Sequence, residues 1–176
     1  INKLINLNIL LTGGAGYIGS HLTEMLMSKK YNVIVCDSLI NGNKRNLSSL
    51  VNFYKVDLIN KIKLEEIFIN NHIDAIIHLA SFKSVQDSND RINRYTSNNI
   101  VGSLNLIELA IKYQVRNFIF SSTAAVYGNP TYNPIDEKHV FDPINHYGFT
   151  KLYIEQYLNW ISKLDKINVI SLRYFN

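Results

Sequence analysis

The feature of this sequence that most constrains its fold is a glycine-rich stretch between Asn8 and His21. A short apolar run at 9–11 predicts a buried strand, and glycines follow it almost at once. Apolar residues then recur at helical spacing, which predicts a helix with one buried face made by Ile18, Leu22, Met25 and Leu26. The stretch therefore predicts a strand, a tight turn and a helix.

The glycines of this turn fit two spacings of a dinucleotide-binding loop. Gly14, Gly16 and Gly19 match G-x-G-x-x-G, and Gly13, Gly16 and Gly19 match G-x-x-G-x-x-G equally well. Glycines let the backbone turn sharply and approach a pyrophosphate, and the helix that follows directs its free N–H groups at the anion. An ordinary glycine-rich turn is the alternative interpretation of the motif taken alone.

A carboxylate placed later in the chain favours the dinucleotide interpretation. The segment 31–37 has the pattern of a second buried strand and ends in Asp37, 18 residues beyond Gly19. An acid about 20 residues after the glycines holds the adenosine ribose hydroxyls of NAD and repels the 2′-phosphate of NADP. The alternative is an Asp that caps a helix or lies in a loop.

The rest of the chain alternates between apolar runs and helical patterns. Further strands are predicted at 53–57, 74–80, 117–122 and 168–172, and further helices at 61–71, about 90–113 and 146–164. The segment 129–145 carries all three prolines and is predicted to be a loop. This order predicts the α/β class, a Rossmann-like doubly wound parallel sheet in one domain over 1–176.

Composition excludes several other classes of protein. The 176 residues are 47% hydrophobic and 18% charged, which is ordinary for a globular chain. The apolar runs are far shorter than the roughly 20 residues that span a bilayer, so we expect no membrane segment. The net charge of +4 comes from scattered lysines, so we expect no nucleic-acid partner.

Cysteine and histidine usage predicts neither disulfides nor a metal site. Cys36 is the one cysteine and lies between Val35 and Asp37. We expect it to pack in the core of a protein from a reducing, cytoplasmic compartment. His78 lies within a predicted strand and is expected to be packed there, since no cluster in the sequence has metal-ligand spacing.

A tyrosine and a lysine near the end of the chain are the candidates for chemistry. Tyr147 and Lys151 are separated by four residues in a predicted helix, so both project from one face. An ammonium beside a phenol lowers the tyrosine pKa, which makes the phenol a base at neutral pH. Thr123 follows a strand end, where open α/β sheets place their ligands.

Taken together, these motifs resemble the extended short-chain dehydrogenase/reductase superfamily, and within it the UDP-glucose 4-epimerases. The resemblance covers nearly the whole chain, from Asn8 to Asn176. It rests on Thr12-Gly-Gly-Ala-Gly-Tyr-Ile-Gly-Ser-His21, Asp37, Val56-Asp-Leu58, His78-Leu-Ala80 with Lys83, Asn98-Asn-Ile-Val-Gly102, Phe120-Ser-Ser-Thr-Ala-Ala-Val-Tyr-Gly128, Tyr147-Gly-Phe-Thr-Lys151 and Leu172-Arg-Tyr-Phe-Asn176.

The resemblance implies a role for each matching position. Tyr147 would be the catalytic base, Lys151 its electrostatic partner, and Thr123 would bind the reacting sugar hydroxyl. The residues that would hold NAD are Gly13, Gly16, Tyr17, Ile18, Gly19, Asp37, Asn41, Asp57, Leu58, Leu79, Ala80, Lys83, Asn98, Tyr147, Lys151 and Phe175. Those that would bind the substrate are Thr123, Tyr147 and Asn176.

The implied activity is an isomerase reaction that interconverts UDP-glucose and UDP-galactose through a 4-keto sugar, with NAD as a resident redox agent. The implied assembly is a homodimer formed through the helices at 90–113 and 146–164. The chain is expected to be an N-terminal fragment that lacks most of a C-terminal substrate-binding lobe. Isolated from that lobe, it is expected to be inactive.

The chain departs from the family pattern at a few positions. Thr123 replaces a frequent Ser, His146 stands where a Pro usually precedes the tyrosine, and Ser81 replaces a small residue that is often Gly. The segment 84–94 departs most, because it lacks the usual proline.

Three alternatives bear on function. A 4,6-dehydratase would carry Asp-Glu after the threonine, whereas Ala124 and Ala125 stand there and cannot transfer protons. A decarboxylase, or an epimerase for N-acetylated or uronic sugars, stays open. A non-catalytic NAD-binding protein is the alternative from another class, since fold alone does not establish function.

Overall fold

Six parallel strands form the centre of the molecule. The computed structural model describes residues 7–175, and its strands are β1 Asn8–Thr12, β2 Asn32–Asp37, β3 Asn52–Lys55, β4 Ala75–His78, β5 Asn117–Thr123 and β6 Asn168–Tyr174. They pair in the order β3-β2-β1-β4-β5-β6. All neighbouring pairs are parallel. The predicted doubly wound parallel sheet is confirmed.

Helices connect the strands and cover both faces of the sheet. They are α1 Tyr17–Ser28, α2 Lys61–Asn70, α3 Val85–Asp90, α4 Ile92–Tyr95, α5 Gly102–Lys112 and α6 His146–Lys163, with a π-helical turn at Thr96–Val101 and short 3₁₀ turns at Lys44–Asn46 and Ala124–Val126. The segment 129–145 contains neither helix nor strand, as the prolines predicted.

Two hydrophobic cores lie on opposite faces of the sheet. The larger packs side chains such as Leu10, Ile76 and Phe118 against helices α2, α5 and α6. The smaller packs Leu11 and Val35 against α1 and its surroundings. Because alternate residues of each strand point to opposite faces, a strand buried on both sides must be apolar at every position, as 9–11 is.

The buried face of α1 differs from the one that the apolar spacing predicted. Gly19, Thr23 and Leu26 face the protein, whereas Ile18 and Met25 are 52% and 50% exposed. The reason is the close packing at Gly19, which turns that side of the helix toward the loop of β1. The prediction of a single apolar face was therefore wrong for Ile18 and Met25.

The helix predicted over about 90–113 is interrupted. Helical structure begins earlier, at Val85, breaks at Arg91 and widens into the π-helical turn at Thr96–Val101 before α5. A π-helical turn inserts an extra residue into the helix and is frequent at functional sites. Here it carries Asn98 and Asn99.

The strand order creates a crevice at the carboxyl edge of the sheet, where the cofactor site is predicted. The chain order reverses between β1 and β4, so the loops after these strands diverge and leave a crevice at their carboxyl ends. Between residues 7 and 175 the helices all fall short of the length or hydropathy required to cross a bilayer.

Candidate active site

The turn after β1 and the first turn of α1 pack so tightly that only glycine fits at two positions. Gly13 has φ +75, and a Cβ there would lie 2.6 Å from the backbone nitrogen of Ala80. A Cβ on Gly19 would collide with the carbonyl oxygen of Gly13. Gly16 is different, because a Cβ there would meet only the Gly13 oxygen, at 3.3 Å. Gly13 and Gly19 therefore shape the loop, whereas Gly16 leaves its outer surface open.

The start of α1 presents free backbone donors. Gly16 precedes the helix, and within the described part of the chain no side chain caps the first turn. Tyr17 and Ile18 follow and are 80% and 52% exposed. The first N–H groups of a helix lack intrahelical partners and carry the positive end of the dipole. This surface suits a phosphate, as the motif predicted.

Asp37 lies at the carboxyl end of β2 with a buried carboxylate. Its Oδ2 accepts the Ala15 N–H at 3.0 Å, and its Oδ1 accepts the Leu39 N–H at 2.8 Å. A carboxylate has about four acceptor positions, so a ribose diol can share this group with the two backbone donors. The contact with Ala15 also binds Asp37 directly to the glycine loop.

Three other predicted residues lie at the sheet edge that carries Asp37. The exposed Asn41 precedes Gly42, whose Cβ would lie 2.9 Å from Asp37 Oδ1, so this turn runs beside the carboxylate. Asp57 follows β3 and accepts the Ile59 N–H at 3.0 Å, while Leu58 is buried. All three lie at the same edge as Asp37.

The loop after β4 lies against the glycine loop. The Leu79 N–H donates to the Thr12 carbonyl at 3.0 Å, and Ala80 forms the close approach to Gly13. Lys83 follows on the surface of the protein. Leu79 and Ala80 are thus brought to the crevice, whereas Lys83 lies on an exposed part of the same loop.

Sequence reasoning selected Asn98 in the π-helical turn and missed its neighbour. Asn98 Oδ1 lies 3.3 Å from the Phe82 N–H, while Asn99 Oδ1 accepts the same N–H at 2.9 Å. Asn99 Nδ2 also donates to the Phe82 carbonyl at 3.0 Å and to Thr150 Oγ1 at 3.1 Å. Asn99 is therefore the residue that holds this loop, and the adjacent Asn98-Asn99 pair was the pattern that could have indicated it.

The three predicted catalytic residues converge where β5 ends against α6. Lys151 is buried, and its Nζ donates to the Ser121 carbonyl at 2.8 Å and lies 6.0 Å from the centre of the Tyr147 ring. Thr123 is two residues beyond Ser121, and its hydroxyl lies near the Tyr147 phenol, where it partly opposes the rise in the phenol's pKa that burial causes. The prediction that Tyr147 and Lys151 project from one face of a helix is confirmed.

The direction of the Tyr147 pKa differs from the prediction. Burial raises the pKa of the Tyr147 phenol, and the Thr123 hydroxyl acts against this rise. Burial also lowers the pKa of Lys151 to about 7, against which the Glu155 carboxylate acts. Desolvation opposes both charged forms, so the tyrosine pKa is raised, and the prediction that the lysine lowers it was wrong.

The start of α6 is held by its neighbours. The side chain of Asn145 caps the helix by accepting the Gly148 N–H at 2.8 Å. The Tyr147 N–H donates to Ser88 Oγ at 3.0 Å, and His146 Nε2 lies 3.0 Å from Thr96 Oγ1. His146 thus makes a side-chain contact to the π-helical turn that a proline could not make.

His78 and Cys36 are packed, as predicted. The Ser103 hydroxyl donates to the Asn99 carbonyl, so it accepts from His78 Nε2, and Thr12 then donates to Nδ1. Burial lowers the pKa of His78 to about 3 and raises that of Cys36 to about 12. Among residues 7–175, no three His, Cys, Asp or Glu side chains converge to form a metal site.

Two predicted residues lie at the end of the chain. Phe175 is 64% exposed, and its ring centre lies 6.2 Å from that of Tyr127. Asn176 falls outside the described residues, so its predicted substrate contact stays a prediction.

The chain is similar to known UDP-glucose 4-epimerases in sequence and in fold. The chain is 42% identical over 180 residues to a UDP-glucose 4-epimerase of Schizosaccharomyces pombe, covering 96% of this chain and 51% of that protein. The crystal structure of UDP-glucose 4-epimerase from Brucella ovis in complex with NAD matches with a TM-score of 0.93 at 34% identity, over 97% of this chain and 52% of that one. The UDP-Glc/GlcNAc 4-epimerase from Campylobacter jejuni matches with a TM-score of 0.92 at 35% identity, over 97% and 54%.

The chain therefore spans about half the length of the relatives that it matches. Residues 9–176, nearly all of the chain, match one family. With the glycine loop, Asp37 and the Thr123, Tyr147 and Lys151 cluster in place, the chain belongs to the NAD dependent epimerase/dehydratase family.

Proposed function

We propose that the protein carrying this chain is an isomerase that epimerises a UDP-sugar at C4, interconverting UDP-glucose and UDP-galactose with NAD as cofactor. The observation that carries this proposal is the convergence of Thr123, Tyr147 and Lys151 at the sheet edge that also holds the glycine loop. We also propose that 1–176 is the NAD-binding domain and that residues of a further lobe complete the substrate site.

The described residues fit NAD. The uncapped start of α1 offers backbone donors to a pyrophosphate, and Gly16 leaves room beside them. Gly13 allows the glycine loop to pack closely on the loop after β4, because a Cβ there would collide with Ala80. Asp37, beside Asn41 and Asp57, would hold the adenosine ribose with its spare acceptor positions. A buried carboxylate here repels a 2′-phosphate, which favours NAD over NADP.

The other end of the cofactor would lie along the loop after β4. Leu79, Ala80 and Lys83 would line it, Asn98 would support it, and Phe175 would border the nicotinamide. When bound there, NAD supplies a reversible hydride acceptor for C4 of the sugar.

Side chains of this protein would accept and return the proton of the C4 hydroxyl. Thr123 would hydrogen-bond that hydroxyl and orient it toward the Tyr147 phenol. Tyr147 would take the proton while C4 is oxidised and return it when C4 is reduced on its other face. The Lys151 ammonium, one of whose three donors goes to Ser121, would stabilise the phenolate with its charge.

The choice of sugar is a second question. A structural neighbour is named for both UDP-Glc and UDP-GlcNAc, so an N-acetylated substrate is the second candidate. Ala124 and Ala125 carry methyl side chains where a dehydratase needs an acid and a base, so a dehydratase is not proposed.

The test uses the intact protein, purified without added cofactor. UDP-galactose is supplied and UDP-glucose is followed by chromatography, with Tyr147→Phe as the variant and Tyr132→Phe, an exposed tyrosine of the loop at 129–145, as the control. We expect conversion in the parent and in Tyr132→Phe, and none in Tyr147→Phe. If the parent fails to convert UDP-galactose with NAD present, the UDP-glucose assignment is overturned and acetylated sugars are favoured. If the protein retains NAD but converts neither UDP-galactose nor an acetylated UDP-sugar, a non-catalytic NAD-binding protein is favoured.

We further propose a cytoplasmic homodimer. Exposed apolar side chains on α6 support a helical interface, since Phe149, Tyr153 and Trp160 are 49%, 41% and 63% exposed. The buried free thiol of Cys36 suits a reducing compartment. Sedimentation of the intact protein tests the dimer, and a monomer at micromolar concentration would contradict it.

A further inference from the structure

The active-site helix carries a third buried polar group beyond Tyr147 and Lys151. Glu155 lies one turn after Lys151 on the same face, and it is 7% exposed while Lys151 is 3% exposed. A carboxylate is rarely buried to this extent unless it is paired. The burial of Glu155 therefore requires partners from outside the helix.

The partners of Glu155 come from two strands. Arg173 of β6 donates from Nη2 to Oε2 at 2.7 Å and from Nε to both oxygens at 3.1 Å. The Ser122 hydroxyl of β5 donates to Oε1. Ser122 and Arg173 face each other in the register of the two strands. The carboxylate thus fastens β5 and β6 to α6 at one point.

Arg173 extends this network to the turn that follows Thr123. Its Nη1 donates to the Tyr127 hydroxyl at 2.8 Å, and its guanidinium lies 4.6 Å from the Phe141 ring centre and 5.2 Å from that of Tyr127. Tyr127 directly follows the 3₁₀ turn Ala124–Val126. The turn that begins at Thr123 is therefore fixed by the same group that binds Glu155.

Three consecutive residues of β5 meet three successive turns of α6. The Ser121 carbonyl accepts from Lys151, the Ser122 hydroxyl donates to Glu155, and Thr123 lies beside Tyr147. A displacement of Glu155 would shift Ser122, and its two neighbours in the strand would move with it.

Charges around Lys151 come from few residues. On α6 the facing groups are the neutral Tyr147 phenol and the Glu155 carboxylate, which favours the lysine's charged form. From the sheet, His78 on β4 is neutral because burial lowers its pKa, and Arg173 on β6 reaches this region through Glu155. Tyr95 on α4 is a neutral phenol beside Tyr147. Glu155 is thus the one anionic group acting on Lys151 among the described residues.

We propose that Glu155, clamped by Arg173 and Ser122, is a positioning residue that keeps Lys151 in its charged form and aligned with Tyr147. The proposal rests on the function proposed above, because it assigns Lys151 the task of stabilising the phenolate. The carboxylate opposes the desolvation of the lysine, and its strand contacts hold Thr123 at the phenol.

A purely structural ion pair would predict a different outcome. Replacing a buried pair by apolar or neutral groups of similar volume is often tolerated, whereas removing one partner leaves a buried charge unpaired. If the Glu155–Arg173 pair were purely structural, replacing Glu155 would change the stability of the protein and leave the titration of Lys151 unchanged.

The test measures the titration of Lys151 directly, by NMR of ¹⁵N-labelled lysine side chains in the intact protein. The spectrum of Lys151→Met assigns the resonance, Glu155→Gln is the variant, and Glu65→Gln, a carboxylate paired with Lys112 on the surface, is the control. We expect the Lys151 pKa to fall by about 1 unit or more in Glu155→Gln and to stay unchanged in Glu65→Gln. A Lys151 titration that is the same in Glu155→Gln and the parent would overturn the proposal.

A second variant covers the case in which Glu155→Gln does not fold. The double variant Glu155→Gln/Arg173→Met removes both charges of the pair, and we expect its Lys151 pKa to stay below that of the parent, because the Glu155 carboxylate acts on the charge of Lys151 whereas Arg173 does not. A value equal to or above the parent's would contradict the proposal.

Activity gives an independent readout. If the proposed reaction is catalysed, the alkaline limb of kcat should move to lower pH in Glu155→Gln, with KM little changed. If the parent shows no epimerase activity, the proposed function fails, while the NMR titration still decides whether Glu155 controls Lys151.

Discussion

The side-chain amide of Asn99 binds both backbone polar groups of Phe82, accepting its N–H at 2.9 Å and donating to its carbonyl at 3.0 Å. The same amide donates to Thr150, the residue before Lys151. One buried side chain in the π-helical turn therefore connects the loop that would line NAD to the helix that carries the catalytic lysine.

Asn99→Ala should weaken NAD binding. The change leaves the Phe82 backbone and the Thr150 hydroxyl without their partner, and an unmade buried hydrogen bond costs about 1–3 kcal/mol. We expect a loss of about tenfold in NAD affinity, measured by calorimetry on the intact protein stripped of cofactor. Asn93→Ala, at an exposed position of α4, is the control and should bind like the parent. Equal affinity in both variants would show that Asn99 does not support the loop.

Gly13→Ala and Gly16→Ala should separate folding from cofactor binding. At Gly13 the backbone is left-handed and a Cβ would collide with Ala80, so we expect a loss of at least about 2 kcal/mol in the free energy of unfolding. At Gly16 a Cβ would meet only the Gly13 carbonyl oxygen, at 3.3 Å, so the free energy of unfolding should change little. The added methyl would lie where the pyrophosphate is proposed to bind, so NAD affinity should fall. Urea unfolding and NAD titration of each variant measure the two effects, and a Gly16→Ala protein that binds NAD like the parent would contradict the placement of the pyrophosphate.

Asp37→Asn should reduce the preference for NAD over NADP. The amide keeps the size of the side chain and one acceptor, but it removes the charge that repels a 2′-phosphate. We expect the ratio of the two dissociation constants to change by at least about tenfold, or about 1.4 kcal/mol. Asp90→Asn, an exposed carboxylate, provides the control for net charge. An unchanged ratio would mean that Asp37 does not face the adenosine ribose.

Lys151→Met should stabilise the protein in a pH-dependent way. Burial lowers the pKa of Lys151 from 10.5 to about 7, so between these values the unfolded chain binds more protons at this residue than the folded one. The parent's stability therefore rises with pH in this window relative to a variant without the lysine. The advantage of Lys151→Met should be greatest at pH 7 and below, and should shrink toward pH 9.

Urea unfolding of both proteins at pH 7 and pH 9 measures this difference, which should decrease by up to about 1.4 kcal/mol per pH unit. Groups that lie away from Lys151 titrate equally in both proteins and cancel. A difference that does not depend on pH would show that the lysine is not desolvated in the folded state.

The order of strands and helices could be predicted because each element carries its own pattern. The apolar run at 9–11 and the glycines after it specify a strand and a turn by local sterics, and the prolines of 129–145 exclude regular structure there. The spacing of Tyr147 and Lys151 is a property of any helix. These features need no information about neighbours in space.

The interruption of the helix predicted at 90–113 could not be read from periodicity. Its π-helical turn is stabilised by contacts with Phe82 and Thr150, which are distant in sequence. The exposure of Ile18 likewise follows from how closely Gly19 packs on Gly13. Apolar spacing identifies a helix, whereas packing decides which of its faces is buried.

The dinucleotide loop, the acid at the end of β2 and the pairing of a tyrosine with a lysine could all be predicted from the amino-acid sequence, because each depends on residues close together in the chain. The electrostatics of that pair depend on the folded environment. Burial lowers the pKa of Lys151 and raises that of Tyr147, and the opposing carboxylate of Glu155 is fixed by Arg173 from another strand. Desolvation and long-range ion pairing depend on what surrounds a group in space, and no local pattern records them.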